Sequence, residues 1–336
     1  MSELKLTIFQ QTELDSLVQI RKGEHRLGQR LKLLKGSMKD LSDLSKKGVK
    51  FAILGIPECI GPLGNAGKSG AEHAFKAFIE CFVNVQSNRF LDGKEIVLIG
   101  QVDLEDLQRE ALKLDPASDY YFQKLHLMCE TIDERVQPIV QKIVSCGVVP
   151  IVIGGGHNNA LPIISAIAAQ KGPLNVLNFD AHADFRALEG RHSGNGFSYA
   201  MQRKVLNKYA VFGLHQNYNA ENMLKSMDST DQVKYTFLED IQYADKLLLS
   251  SIEFLQSKDA EVGLEVDLDA IRYMPSSAMS PSGFSLEQIR YFVRKTTKAL
   301  DPTYLHLAEA APKTKEEHLM VGKALSYLVT DFVKSL

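Results

Sequence analysis

Short, uninterrupted apolar runs recur along this chain, and segments with apolar residues at helical spacing separate them. Residues 51–56 (FAILGI) form the first such run, which is typical of a strand buried on both faces. Further strands are predicted at residues 95–100, 148–153, 174–179, 209–213, 233–237, 261–267 and 304–308, with helices at 71–85, 119–145, 157–169 and 315–336. Because strands alternate with helices, we expect an α/β fold with a mostly parallel sheet covered on both faces.

The first 47 residues differ from the rest of the chain because they are polar and helix-prone. Their apolar residues at roughly helical spacing are Leu31, Leu33, Leu34, Met38, Leu41 and Leu44. We therefore predict an N-terminal helical arm over residues 1–47 that packs on the main body. No linker, low-complexity segment or internal repeat interrupts residues 48–336, which are expected to form a single domain.

Composition and charge narrow the class of protein. A formal net charge of −2 over 336 residues offers no electrostatic basis for binding nucleic acid or an anionic membrane surface. No apolar run approaches the roughly 20 residues that span a bilayer, and the N-terminus lacks the pattern of a signal peptide. The four cysteines are far apart without a C-x-x-C pair, which is typical of free thiols in a reducing compartment. We expect a soluble, cytoplasmic protein that acts on a small molecule.

Metal-capable side chains follow the strand predicted at residues 174–179. Asp180, His182 and Asp184 occupy alternate positions, and alternate residues of an extended backbone point to one side. Carboxylate oxygens with one imidazole suit Mn²⁺ or Mg²⁺ before Zn²⁺, and no thiolate favours a softer metal. Taken alone, this triplet is equally typical of a polar loop after a strand.

Two further strand ends carry similar residues. The strand at 148–153 is followed by three glycines and His157, and the strand at 261–267 ends in Asp267 and Asp269. The carboxyl ends of parallel strands meet at one edge, where ligands bind. Four carboxylates there would repel one another without counterions, whereas two ions can share a water and lower its pKa. The sequence therefore predicts a site for two ions with the ligands His157, Asp180, His182, Asp184, Asp267 and Asp269.

The combined motifs GGGH (154–157), DAHAD (180–184) and DLD (267–269) resemble the ureohydrolase superfamily, which includes arginase, agmatinase and formimidoylglutamase. The resemblance runs from about residue 51 to the C-terminus, with the motifs in the same order. It implies a three-layer α/β/α fold, two Mn²⁺ ions per chain, and hydrolysis of a C–N bond in a guanidino or formimino group. It also implies a homo-oligomer, a trimer or a hexamer.

Two more segments resemble the family and imply roles for single residues. Residues 306–312 (HLAEAAP) resemble its last strand, whose glutamate binds the cationic amidine group, so that role falls to Glu309. Residues 54–57 (LGIP), with Asn65, Gly67 and Gly70, resemble its first strand and loop. Asn65 is accordingly expected to contact the substrate.

Arg186 and Phe197 indicate the branch of the superfamily. Arginase has an asparagine and a histidine at these positions, whereas Arg186 and the pattern at residues 193–197 (SGNGF) resemble formimidoylglutamase. The implied substrate is N-formimino-L-glutamate, an intermediate of histidine degradation. Arg186 can form a bidentate pair with one of its two carboxylates, and Ser193 and Asn195 lie where the family recognises the α-amino and carboxylate end. A structural ion pair is the alternative role for Arg186.

In the mechanism that we expect, a hydroxide held by both ions attacks the formimino carbon, and the products are L-glutamate and formamide. Glu309 holds the protonated nitrogen. Asp184 orients the hydroxide and passes its proton to the leaving nitrogen. His192 and His215 are candidate proton shuttles.

Three alternatives remain open at this point. An arginase or agmatinase with an altered pocket would release urea from a guanidino substrate. A non-catalytic binding protein with this fold is disfavoured because all six ligand positions are filled. A nucleotide-binding loop over residues 61–69 is disfavoured because five residues, instead of four, separate its glycines. We expect the loop over residues 57–70 to face the substrate instead.

Overall fold

In this computed structural model, which describes residues 4–336, ten strands form one sheet. The strands are β1 (Leu6–Ile8), β2 (Lys32–Leu33), β3 (Phe51–Gly55), β4 (Ile96–Val102), β5 (Val149–Ile153), β6 (Leu174–Phe179), β7 (Leu206–Leu214), β8 (Val233–Phe237), β9 (Val262–Asp267) and β10 (Leu305–Ala308). Their order is β1-β4-β3-β5-β10-β9-β6-β7-β8, and β2 also pairs with β4. Among the named strands of residues 4–336, only the pairing of β1 with β4 is antiparallel, so the predicted mostly parallel sheet is confirmed.

Helices cover both faces of this sheet. They are α1 (Gln11–Leu17), α2 (Asp40–Lys46), α3 (Ile60–Gly64), α4 (Ala74–Phe82), α5 (Glu105–Ala111), α6 (Tyr121–Ser145), α7 (Ala160–Lys171), α8 (Gly196–Gln202), α9 (Glu221–Asp228), α10 (Ala244–Leu255), α11 (Leu286–Leu300) and α12 (Lys315–Val333). One core contains side chains of α4, α10, α11 and α12, and the other contains side chains of α6, α7 and α8. In β3, Phe51 and Ile53 belong to the first core and Ala52 and Leu54 to the second. This alternation explains why the strands are apolar without interruption, and it confirms the three-layer α/β/α fold.

Local sequence defines where the last helix begins. The Thr314 hydroxyl accepts a hydrogen bond from the amide of Glu317 at 3.2 Å, and the Glu317 carboxylate accepts one from the amide of Thr314 at 3.0 Å. This reciprocal capping box satisfies two amide groups that the first turn of a helix leaves unpaired, and such a cap stabilises a helix by about 1 kcal/mol. The helix that it starts contributes Val321, Leu325 and Leu328 to the first core.

The N-terminal segment contains strands as well as helices. Leu6 pairs with Val102 in an antiparallel manner, and Lys32 pairs with Val97 in a parallel manner. Leu6 and Ile8 pack against the second core, and their spacing of two is the spacing of a strand. This segment therefore extends the sheet, which the prediction of a helical arm over residues 1–47 did not include. Residues 1–3 of that arm lie outside the described residues, and the boundary after residue 47 stays a prediction.

Two features of the fold bear directly on function. The central strands β5, β10, β9 and β6 are neighbours and all parallel, so their carboxyl ends meet at one edge of the sheet. Residues 57–70, predicted as a loop, contain the short helix α3 before the chain turns towards that edge.

Within residues 4–336, no helix combines the length and the apolar character that crossing a membrane requires.

Candidate metal centre and substrate cavity

Four adjacent strand ends supply the candidate site. His157 follows β5, the triplet at residues 180–184 follows β6, Asp267 ends β9, and Glu309 directly follows β10. All six predicted metal ligands therefore lie at one edge of the sheet: His157, Asp180, His182, Asp184, Asp267 and Asp269. The alternation of side chains at strand ends explains why the sequence pattern found them.

The turn that presents His157 requires glycine. Gly154 and Gly155 have φ angles of 86° and 71°, which side chains with a Cβ rarely adopt. A Cβ on Gly155 would lie 2.4 Å from Nδ2 of Asn159 and 2.8 Å from Oε1 of Glu58. The glycine run therefore allows close approach of other side chains as well as a sharp turn.

Glu58, which the sequence patterns did not single out, stabilises the turn that carries His157. Its carboxylate is fully buried and accepts hydrogen bonds from the amides of Gly156 at 2.6 Å and Gly61 at 3.0 Å, and from Nδ2 of Asn159 at 2.7 Å. The pKa of Glu58 is raised overall, because the effect of burial is larger than the opposing effect of these hydrogen bonds. An acid that follows an apolar strand is a weak signal on its own, because its partners come from elsewhere in the chain.

His157 is the centre of the first ligand group. Its Nδ1 lies 2.9 Å from Oδ2 of Asp184, 3.2 Å from Oδ2 of Asp180 and 3.2 Å from Oδ2 of Asp267. Potential ligand atoms of these four residues all lie within 4.8 Å of one another. One nitrogen and three carboxylate oxygens thus surround a single point.

Asp180 also belongs to a second group. The Nδ1 of His182 lies 2.9 Å from Oδ2 of Asp269 and 3.8 Å from Oδ1 of Asp180, and these three residues again present ligand atoms within 4.8 Å of one another. The two oxygens of Asp180 therefore face different groups, as expected of a carboxylate that bridges two ions. Asp267 belongs only to the first group, although its Oδ1 accepts a hydrogen bond from the amide of Asp269 at 2.8 Å.

These residues fit divalent cations. Neither ring nitrogen of the fully buried His157, nor Oδ1 of Asp269, has a hydrogen bond of acceptable geometry within residues 4–336. Buried polar atoms normally have hydrogen-bonding partners, and a single metal ion can be the partner of several such atoms at once. Four carboxylates and two imidazoles suit a hard or borderline ion such as Mn²⁺.

The electrostatics of the cluster show an excess of negative charge. Burial, together with repulsion from Asp184, raises the pKa of Asp180 to about 7. Burial and the charges of Asp269 and Asp180 raise the pKa of Asp267 well above its usual range. Although burial lowers the pKa of His157, the carboxylates around it outweigh this effect and raise the pKa. Cations at this position would relieve the repulsion.

Glu309 is buried beside this cluster. Its Oε1 accepts a hydrogen bond from the amide of His157 at 2.8 Å, and its Oε2 accepts one from the hydroxyl of Ser277. The backbone of Glu309 has a φ of 64°, which is costly for a residue with a side chain and is common at functional sites. Burial raises its pKa to about 8, so a cation bound beside it is needed to favour its ionised form at neutral pH. Sequence reasoning missed Ser277, which lies in a loop without a recognisable motif.

A cavity of about 670 Å³ opens over the cluster. His182, Asp184, Asp267, Asp269 and Glu309 line its floor. Of the predicted substrate-binding residues, Asn65, Arg186 and Ser193 also line this cavity. Gly67 lines it too, so the loop over residues 57–70 faces the cavity as expected.

Asn195 does not line the cavity, in contrast to its predicted contact with substrate. It is fully buried, and its Oδ1 accepts hydrogen bonds from Nη1 of Arg191 at 2.9 Å and from the amide of His192 at 3.1 Å. Its Nδ2 donates to the carbonyl of Gly190 at 2.7 Å. Because the protein already occupies the amide group on both sides, Asn195 holds the loop in place and is not available to a ligand.

Arg191 anchors the same loop in the interior. Its side chain is fully buried and pairs with Asp133 of α6, with Nε 2.9 Å from Oδ2 and Nη2 3.2 Å from Oδ1. Its Nη2 also donates to the carbonyl of Asn158 at 2.8 Å. Arg191 therefore ties the cavity loop to α6 and to the turn that carries His157.

Arg186 lies at the mouth of the cavity and is 53% exposed. Its Nε donates to Oε1 of Glu189 at 3.0 Å, and Glu189 is its only ion-pair partner among residues 4–336. The Nε2 of His192 lies 3.3 Å from the same oxygen. The ion pair considered as an alternative is thus present, but it engages only Nε of the guanidinium, and the two Nη groups make no hydrogen bond within residues 4–336.

The two candidate proton shuttles are set back from the cavity. Neither His192 nor His215 is among its lining residues. Burial, together with the nearby ring of His126, lowers the pKa of His192 to about 4, and burial also lowers the pKa of His215. The ring of His192 is therefore neutral at physiological pH.

Comparison with known proteins gives the family. The sequence profile of the Arginase family matches residues 49–333. A formimidoylglutamase of Clostridium tetani is 23% identical over 301 residues, which is 85% of this chain and 82% of that protein. The structure of formimidoylglutamase from Bacillus subtilis matches with a TM-score of 0.74 at 15% identity, over 94% of this chain and 93% of that one. Trypanosoma cruzi formiminoglutamase with Mn²⁺ matches with a TM-score of 0.70 at 18% identity, over 93% of this chain and 98% of that one. The two structures share the fold, and because the profile spans most of the sequence, the chain belongs to the arginase family of hydrolases.

Proposed function

We propose that the chain hydrolyses the C–N bond of an amidine with the help of two Mn²⁺ ions, and that its substrate is N-formimino-L-glutamate. The observation that carries this proposal is the position of Glu309. This buried carboxylate forms no ion pair within residues 4–336, and it lines the same cavity as four of the candidate ligands. A cationic amidine bound there would lie directly over the metal cluster.

Glu309 retains room to bind such a group. Each carboxylate oxygen has two lone pairs, and each oxygen of Glu309 uses one of them, towards His157 or Ser277. The two parallel N–H groups of an amidinium can engage the remaining pairs in a bidentate contact. Such a contact also fixes the orientation of the amidine carbon above the cluster, which contributes to the rate by positioning.

The remaining residues act at successive steps of the reaction. Two bound Mn²⁺ ions would lower the pKa of a shared water and so supply a nucleophile at neutral pH. Asp184 lines the cavity and contacts His157 at 2.9 Å, where its carboxylate can accept a proton from the attacking water and deliver it to the leaving nitrogen. The C–N bond to the glutamate nitrogen then breaks, and formamide and L-glutamate are released. Glu309 holds the protonated nitrogen of the amidine while the carbon is attacked.

Arg186 is proposed to bind a carboxylate of the substrate. Its guanidinium lines the cavity, and only Glu189 pairs with it among residues 4–336. A charge-assisted pair with a substrate carboxylate contributes about 1.5–3 kcal/mol to binding, a factor of roughly ten to a hundred. Because this contact is made equally in the ground and transition states, its loss should raise KM with little effect on kcat.

A panel of substrates tests the proposal. Purified chain loaded with Mn²⁺ should hydrolyse N-formimino-L-glutamate with a higher kcat/KM than arginine, agmatine or guanidino acids. Arg186→Ala should raise KM for N-formimino-L-glutamate by the tenfold to hundredfold estimated above, with kcat within a few-fold. Arg109→Ala removes another exposed arginine that pairs with a glutamate, and it should leave both constants unchanged. Release of urea from arginine as the fastest reaction would refute the proposed substrate while leaving the two-ion site intact.

A guanidino amino acid is the second candidate substrate, and Glu189 favours it. Glu189 lines the cavity next to Arg186, so the mouth of the cavity presents one cation and one anion. An α-amino acid such as arginine offers a matching carboxylate and ammonium group, whereas N-formimino-L-glutamate has no free ammonium. Glu189→Gln separates the two cases. It should weaken binding of a guanidino amino acid, whereas it should improve or preserve binding of a dicarboxylate because it removes a repulsive charge.

A further inference from the structure

A fully buried carboxylate lies behind the candidate metal cluster, on the side away from the cavity. Glu265 is two residues before Asp267 on β9, and it is not among the cavity-lining residues. Its Oε2 lies 3.4 Å from Nε2 of His157. Within residues 4–336, Nε2 of His157 has no hydrogen bond of good geometry, so the contact with Glu265 is close but is not aligned as a hydrogen bond.

Two neighbours on and beside β10 fix the Glu265 carboxylate. The hydroxyl of Tyr304 donates to its Oε1 at 2.6 Å, and Nδ1 of His306 lies 2.6 Å from its Oε2. The ring of His306 also packs edge-on against the ring of His157, with centroids 5.8 Å apart. All four side chains are fully buried, and the contacts with Tyr304 and His306 hold the carboxylate with Oε2 on the side of His157.

The two ring nitrogens of His157 have different roles, one as a metal ligand and the other as a hydrogen-bond donor. Its Nδ1 faces the oxygens of Asp180, Asp184 and Asp267 at 2.9–3.2 Å, so a metal ion in this group would bind Nδ1. An imidazole binds a metal through a lone pair, which requires Nδ1 to be unprotonated and the ring proton to reside on Nε2. An Nε2–H group in a dry interior needs an acceptor, because a buried donor without one is costly.

We infer that Glu265 is a positioning residue that holds the proton of His157 on Nε2 and thereby directs Nδ1 towards the metal. Histidine ligands commonly donate their second N–H to a carboxylate in this way, and loss of that partner typically weakens metal affinity by roughly 10–100-fold. The distance of 3.4 Å is longer than a strong hydrogen bond. Binding of a cation at Nδ1 polarises the ring and strengthens the contact at Nε2. The inference rests on the two-ion part of the proposed function and goes beyond it, since it does not depend on the substrate.

Mn²⁺ titration of metal-free protein, followed by the electron paramagnetic resonance signal of free Mn²⁺, tests this inference without any activity assay. The wild type should bind two ions. In Glu265→Gln, one of the two binding steps should weaken by about 10–100-fold, while the other stays within about threefold. The reason for this asymmetry is that His157 belongs to the first ligand group and is absent from the group of Asp180, His182 and Asp269; its only other set of neighbouring potential ligands among residues 4–336 consists of Glu265 and His306. A purely structural role of Glu265 would weaken both steps, because β9 leads into Asp267 of the first group and Asp269 of the second.

Matched variants complete the experiment. Glu261→Gln makes the same chemical change at the other end of β9, where Glu261 forms an exposed pair with Lys171, and it should leave both steps unchanged. If Glu265→Gln does not fold, Tyr304→Phe removes only one donor to the Glu265 carboxylate and should weaken the same single step by a smaller factor. Two unchanged steps in the folded variant, or two equally weakened steps, would overturn the role of Glu265. A wild type that binds no Mn²⁺ would instead refute the proposed metal site.

Discussion

The buried pair of Arg191 and Asp133 offers a quantitative test of how the cavity loop is held. In Asp133→Asn the side chain keeps its shape and one acceptor oxygen, but it loses the negative charge that faces Nε and Nη2 of Arg191 at 2.9 Å and 3.2 Å. The guanidinium then stays buried with three neutral acceptors: the remaining side-chain oxygen at position 133, Oδ1 of Asn195 and the carbonyl of Asn158. None of these acceptors carries a compensating charge.

The expected cost follows from this geometry. Breaking a buried ion pair by removing one partner typically lowers the free energy of unfolding by about 3–5 kcal/mol, because the remaining charge is uncompensated. An exposed pair contributes about 0–1 kcal/mol. Glu105→Gln is the matched control, since Glu105 and Arg109 form an exposed pair with a distance of 2.6 Å. The difference between the two variants should therefore be at least about 2 kcal/mol.

Urea unfolding with saturating Mn²⁺ measures this difference. The chain has no tryptophan and 11 tyrosines, so far-ultraviolet circular dichroism and tyrosine fluorescence serve as the two probes. Coincident transitions are required before a free energy is assigned. A loss below about 1 kcal/mol in Asp133→Asn, similar to that of the control, would show that water or a rearranged loop compensates Arg191, and the reasoning about this buried pair would fail.

Three further predictions concern the site. Glu309→Gln should lower turnover severely while Mn²⁺ content, measured by elemental analysis, stays near the wild-type value; loss of metal would place Glu309 among the ligands. Asp180→Ala should prevent binding of both ions because Asp180 faces both ligand groups, whereas Asp269→Ala should retain one ion, and two ions in Asp180→Ala would contradict the bridging position. His192 has a pKa near 4 because it is buried, so between pH 4 and 6.5 the unfolded chain binds a proton that the folded chain does not, and stability falls with falling pH. From pH 6.5 to 5 the wild type should lose about 1.6 kcal/mol more than His192→Gln in urea unfolding, and equal losses would argue against a neutral buried ring.

The strands and the candidate ligands were predictable because both follow from local periodicity. All eight predicted strands are present, since apolar runs in this chain are buried by helices on both sides. Asp180, His182 and Asp184 lie together because alternate positions after a strand share one side. The short strands β1 and β2 escaped prediction because they contain only three and two residues, too few to establish a period.

Roles that depend on partners from distant segments were not predictable. Asn195 resembles a substrate contact in sequence, but Arg191 and Gly190 occupy its amide group. Glu58 and Glu265 are acids within apolar surroundings, and their functions emerge only when Gly156 or His157 is placed beside them. In each case the tertiary structure decides which hydrogen-bonding groups remain available to a ligand.

The position of β10 has a consequence for biosynthesis. This strand begins at Leu305, yet it lies between β5 and β9, with Leu305 beside Ile151 on one side and Leu264 on the other. Until residue 305 has been synthesised, β5 and β9 lack the strand that pairs with both of them, and unpaired strand edges are prone to pair with other chains. Such long-range parallel pairing is also slow. A chain truncated before β10 should therefore aggregate, and a chaperone that binds unpaired strand edges should associate with this protein until late in its synthesis.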